Sequence, residues 1–336
     1  MTTQRRTPRG RIVALLAGTA VATLAACTGV TYADTPLPAT PAPTPTPSAP
    51  AATPVVCSNA TQSYSPLASI PSSGSITDPS VRAILRRGYL VVGASADTYL
   101  FGARDPFTGQ ISGFDIDIAK AVAKSLFGDE NKIQLRVITA ADRIPVLTGK
   151  DATGKEVPRV DMVVRNMSMT CDRWKQIAFS AEYYRSGQKV LVAKGTPNAA
   201  SVTLSDLKGK RVCAPTGTSS LDKLRTVQGP IPVTAANHTG CLVLFQQGKA
   251  DAITGDDTVL AGLAAQDPYT VVSKAPAITV EPYGVGLNKD DVYLARYINT
   301  LLAEMKADGR WKQIYNRWLA GPLGPAPAPP TPVYGR

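Results

Sequence analysis

The chain has 336 residues, with 36 Lys and Arg against 25 Asp and Glu, five cysteines and one histidine. That length supports two ordinary domains, each with its own core. A single histidine and the lack of any CxxC pair leave a zinc site short of ligands, and a basic excess without long Lys/Arg runs or interleaved aromatics argues against nucleic-acid binding.

Residues 1–26 read as a secretory signal. Arg5, Arg6, Arg9 and Arg11 make a basic start, and Ile12 to Leu24 is an apolar run too short to span a bilayer comfortably. The run ends Leu24-Ala25-Ala26-Cys27, small residues before a cysteine. That pattern matches a bacterial lipobox and implies cleavage before Cys27 and a diacylglycerol on its sulfur. The competing reading is an ordinary signal with a chance cysteine. An exported chain meets oxidising conditions, so Cys57, Cys171, Cys213 and Cys241 are disulfide candidates, with three possible pairings. From Ala33 to Pro54 the chain is almost wholly Pro, Ala and Thr. Such a segment favours extended polyproline geometry and reaches at most ~90 Å at ~3.1 Å per residue. We read 27–56 as a tether. The Pro-rich stretch 321–336 reads as a disordered tail.

Folding patterns start near Asp78. Val81 to Arg87 fits a short amphipathic helix ended by Gly88. Leu90 to Gly93 reads as a buried strand, with a loop over 94–102. Phe114, Ile118, Ala121 and Val122 share one face of a helix. Gln134 to Ile138 is a strand, Ile144 to Leu147 lies in a helix, and Met162-Val163-Val164 is a strand. Strands alternating with helices predict an α/β fold with a largely parallel sheet. In such sheets ligands sit beyond the carboxyl ends of the strands.

The run after that third strand carries the most chemistry. Arg165 to Thr170 is polar and leads into a short helix bearing Arg173. Free backbone N–H groups at a helix start, with a guanidinium beside them, suit a carboxylate. The bland alternative is a surface arginine near a helix cap. A second unit follows. Gln188 to Ala193 is a strand, Thr216-Gly217-Thr218-Ser219-Ser220 precedes a helix, and Ala250 to Asp257 is a strand ending in two carboxylates. Either carboxylate can meet an ammonium or cap a helix. His238 is read as a surface loop residue. Helices from Val292 to Met305 and from Trp311 to Leu319 close the chain.

These pieces stand in an order that resembles the polar amino-acid type of extracytoplasmic solute-binding protein, family 3, with the type-II periplasmic-binding fold. The motifs are GFDIDIAKAVA at 113–123, NMSMTCDRWKQIAFS at 166–180, YYRSGQKVLV at 183–192, SDLKGKRV at 205–212, TGTSS at 216–220, GKADAITGDD at 248–257 and ADGRWKQIYNRWL at 307–319. Within that family the chain looks most like the glutamine/glutamate/aspartate-binding lipoproteins of the GlnH kind. The resemblance implies two α/β lobes joined by two crossing strands and closing over one amino acid: lobe 1 at 57–187 and 285–320, lobe 2 at 188–284. It implies that Arg173 clamps the α-carboxylate, that Ser168 with Asn166 beside it, Thr218 and Ser219 donate, and that Asp256 accepts the α-ammonium with Asp97 near it. Two departures from the family stand out. The usual aromatic shelf is replaced near Ala140, with Tyr99 or Phe101 as substitutes, and Arg165 stands where a small residue is common. If Arg165 enters the cleft, aspartate or glutamate is favoured over asparagine or glutamine; the alternative is that it pairs with a protein carboxylate. Cys213 and Cys241 fall in one lobe and are expected to pair, which leaves Cys57 with Cys171.

The function expected is a lipid-anchored extracytoplasmic receptor, with no cofactor or metal, acting as a monomer with a membrane ABC permease. A membrane signalling partner is the alternative. An enzyme on the same fold, a dehydratase or murein lyase, needs a surplus acid or base in the cleft, and none is evident.

Overall fold

The computed structural model describes residues 57–336. The signal at 1–26, the lipobox cysteine Cys27 and the tether at 27–56 lie outside the described residues. Eleven strands build the two main sheets. In chain order they are β1 (Leu90–Ala94), β2 (Ile133–Val137), β3 (Met162–Val163), β4 (Ile177–Phe179), β5 (Tyr184–Ala193), β6 (Arg211–Pro215), β7 (Ile231–Ala235), β8 (Ala252–Asp256), β9 (Thr270–Val272), β10 (Val280–Tyr283) and β11 (Gly286–Asn288). The longer helices are α1 (Pro79–Arg87), α2 (Phe114–Phe127), α3 (Ser219–Thr226), α4 (His238–Gln246), α5 (Asp257–Gln266), α6 (Val292–Ala307) and α7 (Arg310–Trp318).

The first sheet runs β2-β1-β3-β11-β4 and the second β7-β6-β8-β5-β9. Each has a parallel half and one strand inserted antiparallel: β11 between β3 and β4, β5 between β8 and β9. The inserted strand in each case belongs to chain that has just crossed from the other lobe. Two segments make the crossing. The first half of β5 pairs antiparallel with β10, from Tyr184↔Tyr283 to Gly187↔Val280. Gly187 is required there: a Cβ would stand 2.6 Å from the Ala277 Cβ.

Local chemistry explains the elements. Asp78 caps α1 by accepting from the Ser80 and Val81 amides, Pro79 opens it, and Gly88 ends it in the left-handed region. The second half of β5 is apolar on both faces because both are covered. Val190 and Val192 pack with Val212, Leu221 and Leu224 on one side, and Leu191 packs with Ile253, Leu260 and Leu263 on the other. The core of the first lobe is larger, and Tyr183, Tyr184 and Tyr283 extend it to the crossing strands.

Two expectations need correction. The 94–102 loop is part of a small antiparallel sheet of Asp97–Thr98, Gly102–Arg104 and Ile111–Ser112. The tail at 321–336 is folded, not disordered. A turn of helix covers Ala320–Leu323, and Val333–Tyr334 pairs in parallel with Gln62–Ser63. The prolines do not prevent this, because the pairing uses residues beyond them. Both disulfides, Cys57–Cys171 and Cys213–Cys241, are formed as expected.

Candidate amino-acid site between the lobes

The expected site residues come from both sides of the crossing. Thr170 caps the one-turn helix Cys171–Trp174, which holds Arg173. Arg173 is 8 % exposed. It donates to the Ser168 carbonyl (2.6 Å) and, across the lobes, to the Gly217 carbonyl (3.2 Å). Asp256 ends β8 on the second lobe and is buried. It stands before α5 yet makes no side-chain cap bond, so the helix-cap reading fails. Its carboxylate instead accepts from the Tyr283 hydroxyl (2.5 Å). The Asp256 charge reaches Arg173, after those of Glu281 and Asp222.

The other expected residues divide by role. Ser168 and Ser219 face each other across the lobes, hydroxyl to hydroxyl at 3.3 Å. Ser219 also donates to Glu281 (2.7 Å). Thr218 is the N-cap of α3, accepting from the Leu221 amide and donating to the Pro215 carbonyl. Its hydroxyl is thus committed to the fold. Asn166 sits at a positive φ of 34° and its amide donates to Asp115 (2.7 Å). The Asn166 Oδ1 and Asp97 Oδ2 atoms are buried without a partner, two acceptors left for a ligand's donors. Arg165 is 4 % exposed and donates to the Ile138 carbonyl (2.9 Å); the carboxylates acting on it are Asp97, Asp115 and Asp142. Of the two aromatics offered as a shelf, Phe101 is fully buried against Tyr283 and Tyr99 is largely exposed.

Three participants were missed from sequence. Arg143 is 3 % exposed and bridges the lobes, donating to Ala140, Arg165 and Asn166 carbonyls on its own lobe and to Gly217 on the other (2.9 Å). Burial lowers its pKa, and the Arg173 and Arg165 charges add to that, while Asp256 opposes it. The charged groups from both lobes therefore share one crevice. Glu281, on β10, accepts from Ser219 and from Thr279 (2.6 Å). His238 opens α4, with its Nε2 buried and unpartnered. Burial first, then the Arg165 and Arg143 charges, push its pKa down to about 3, so it is neutral. It is not the surface loop residue expected. No cluster able to hold a metal occurs among the described residues. A groove of about 540 Å³ lined by Ser168, Arg173, Gly217, Ser219 and Glu281 opens beside the contact between the lobes.

Burial, and next the Glu281 charge, raise Asp256 to about 7. An ammonium needs the ionised carboxylate. Below about pH 7 the free site takes up a proton that binding must expel, so affinity should fall by up to tenfold per pH unit there. Stability runs the other way. The raised pKa means that the folded state holds this proton more tightly than the unfolded chain. The Asp256 contribution to stability is complete below about pH 4 and is lost as pH rises through about 7. Asp115, also raised to about 7 by burial, acts in the same direction. Calorimetry and thermal melts between pH 5 and 8 should show affinity rising with pH while the ligand-free melting temperature falls.

With this geometry in place, comparison with known proteins is direct. Residues 90–321 match the profile of the bacterial extracellular solute-binding proteins, family 3. The chain belongs to that family, and its fold is the two-lobed type-II periplasmic-binding fold. It is 36 % identical over 238 residues to the ABC transporter glutamine-binding protein GlnH of Bacillus subtilis, covering 70 % of this chain and 83 % of that protein. It is 28 % identical to the glutamate-binding protein GluB of Corynebacterium glutamicum, covering 69 % and 79 %. Among solved structures, an ancestral arginine-binding protein bound to glutamine superposes with a TM-score of 0.61 at 34 % identity, covering 69 % of this chain and 98 % of the other.

Proposed function

We propose that this protein is an extracytoplasmic receptor that captures one acidic or amide amino acid, aspartate and glutamate ahead of asparagine and glutamine, and delivers it to a membrane ABC permease. The observation that carries it is the opposition of buried Arg173 on one lobe and buried Asp256 on the other, the Asp256 charge acting on Arg173 and both acting on the bridging Arg143. A zwitterion satisfies both. In this reading Arg173 and the Ser168 and Ser219 hydroxyls hold the α-carboxylate, with Thr218 contributing through its backbone. Asp256 and Asp97 hold the ammonium. The names of the relatives support an ABC transport role over a signalling one.

The preference for an acidic side chain rests on charge. Arg143 and Arg165 are buried and donate to backbone carbonyls, with no carboxylate of the described residues in direct contact; Asp97, Asp115 and Asp142 act on Arg165 from farther off, and burial raises Asp115 to about 7. A second ligand carboxylate would be a direct partner for one of these guanidinium groups. The B. subtilis and Geobacillus stearothermophilus relatives carry glutamine in their names, so the amides stay in the ligand set. The protein works as a monomer, held to the membrane by a lipid on Cys27, and turns nothing over.

The test is calorimetric titration of the twenty amino acids. Aspartate or glutamate should bind most tightly and be recovered unchanged. Arg165→Ala should weaken the acids by about tenfold or more and the amides less, since the variant removes a charged partner that only the acids' side-chain carboxylate uses. An unchanged ranking in that variant refutes the acidic preference. No binding by any amino acid refutes the receptor reading itself.

A further inference from the structure

The family match covers 90–321, and the chain on either side of it folds together. Gln62–Ser63 pairs with Val333–Tyr334. The last residue, Arg336, donates to the Gln62 and Asn59 carbonyls at 2.9 and 2.8 Å. Both extensions converge on one side chain, Trp174. The Arg336 guanidinium lies 3.8 Å from its ring centroid, and Tyr64 meets it edge-on at 6.0 Å. Its indole N–H donates to the Ala60 carbonyl at 2.6 Å. The Cys57–Cys171 disulfide fastens the other end of the same turn.

That turn, Cys171–Trp174, carries Arg173. Four residues of helix have no stability of their own, since nucleation is unfavourable and a single turn repays little of it. The capping bond from Thr170 is long, at 3.3 Å. The turn therefore depends on contacts from outside it: Trp174 packs edge-on against Phe179 of β4 at 5.2 Å, and the two extensions add the disulfide, the Ala60 hydrogen bond and the Tyr64 and Arg336 ring contacts.

We propose that this clasp, Cys57–Cys171 with Trp174 under Arg336, positions the Arg173 guanidinium and so sets ligand affinity. Cys57, Trp174 and Arg336 are positioning residues that touch no ligand. The inference rests on the reading of Arg173 as the carboxylate clamp. A carboxylate fork must be held to within a fraction of an ångström, and freeing its support is felt as faster release. Cys57 also adjoins the Pro-rich stretch read from sequence as a tether, so the proposed clasp would couple the ligand clamp to the attachment side of the chain.

The test compares release rates and affinities of the full chain, purified in detergent, with those of its variants, using the amino acid that the unmodified protein binds best. Arg336→Ala should weaken binding by about threefold to fivefold through faster release, the scale of a cation–π contact. Arg336→Lys keeps a cation over the ring and should stay within about twofold. Joint replacement of Cys57 and Cys171 by serine should cost about tenfold or more. Joint replacement of Cys213 and Cys241 by serine is the control. It should lower the melting temperature through lobe 2 while leaving release within about twofold. Clasp variants that melt earlier but release ligand at the normal rate overturn the proposal. If the double Cys57/Cys171 variant does not fold, Arg336→Ala decides. If the unmodified protein binds no amino acid, the clasp falls together with the site reading; if it binds and only the clasp variants behave normally, the clasp alone falls.

Discussion

Arg173→Ala is expected to abolish measurable amino-acid binding, with a loss of about 10²- to 10³-fold or more in affinity, while the protein stays folded. The physical reason is the asymmetry of buried charge. A ligand carboxylate that enters the crevice gives up water, and only a charge-assisted fork repays it; removing one partner of such a pair costs about 3–5 kcal/mol. Arg173 suits this role because the helix turn and the Ser168 carbonyl hold it and because its charge already answers Glu281, Asp222 and Asp256. Arg173→Lys sharpens the result. Lysine keeps the charge but not the planar fork, so it should recover only part of the affinity. Calorimetry gives the loss, and circular dichroism shows whether the fold survives. Near-normal binding by a folded Arg173→Ala protein would move the carboxylate clamp elsewhere, with Arg143 the next candidate.

Much of this architecture is legible in the sequence, and the parts that are not share a cause. Helices α1 and α2 announce themselves by caps and one-sided apolar spacing. Strand β5 does so by its apolar second half, Val190 to Ala193. By contrast β7 is an edge strand with Ile231 and Pro232 exposed, so it has no buried face to impose alternation. Arg173, Ser168 and Asp256 were found through motif order. Nothing local marks Arg143: it follows Ala141-Asp142 and precedes Ile144-Pro145 like any surface arginine. Its burial and three of its four carbonyl partners arise only when the second lobe and the Arg165–Asn166 backbone arrive. Glu281 is similar, because its meaning depends on Ser219, which is distant in the chain. For His238 a signal was present. Gly255 leaves room for it, and a Cβ there would lie 2.4 Å from the His238 Nε2, but that relation joins α4 to β8 and cannot be read along the chain. The Pro-rich tail misled because composition reports the proline stretch and not the last few residues, which do the pairing.

Gly217→Ala should wedge the lobes apart and weaken ligand binding by about 10²-fold or more, with only a modest loss of stability. Gly217 has a φ of +72°, where an alanine is strained by about 1–2 kcal/mol. That strain alone lowers the melting temperature without touching ligand. The larger effect lies across the lobe contact. A Cβ at 217 would stand 2.6 Å from the Ala141 Cα and 3.2 Å from the Ala140 carbonyl oxygen, backbone atoms that cannot rotate away. The lobes must separate to relieve it. Separation lengthens the bonds from Arg143 (2.9 Å) and Arg173 (3.2 Å) to the Gly217 carbonyl and displaces Arg173 from groups on the second lobe. A shift of about 1 Å in such a constellation costs on the order of 10²-fold. Gly209→Ala separates the two effects. It has the same φ of +72° and nothing within 4 Å of an added Cβ, so it should lower the melting temperature while leaving affinity intact. Small-angle scattering gives a second readout. With saturating amino acid the Gly217→Ala protein should keep a larger radius of gyration than the unmodified protein under the same conditions. Equal radii together with normal affinity would mean that the Ala140–Gly217 contact is not part of closure over the ligand.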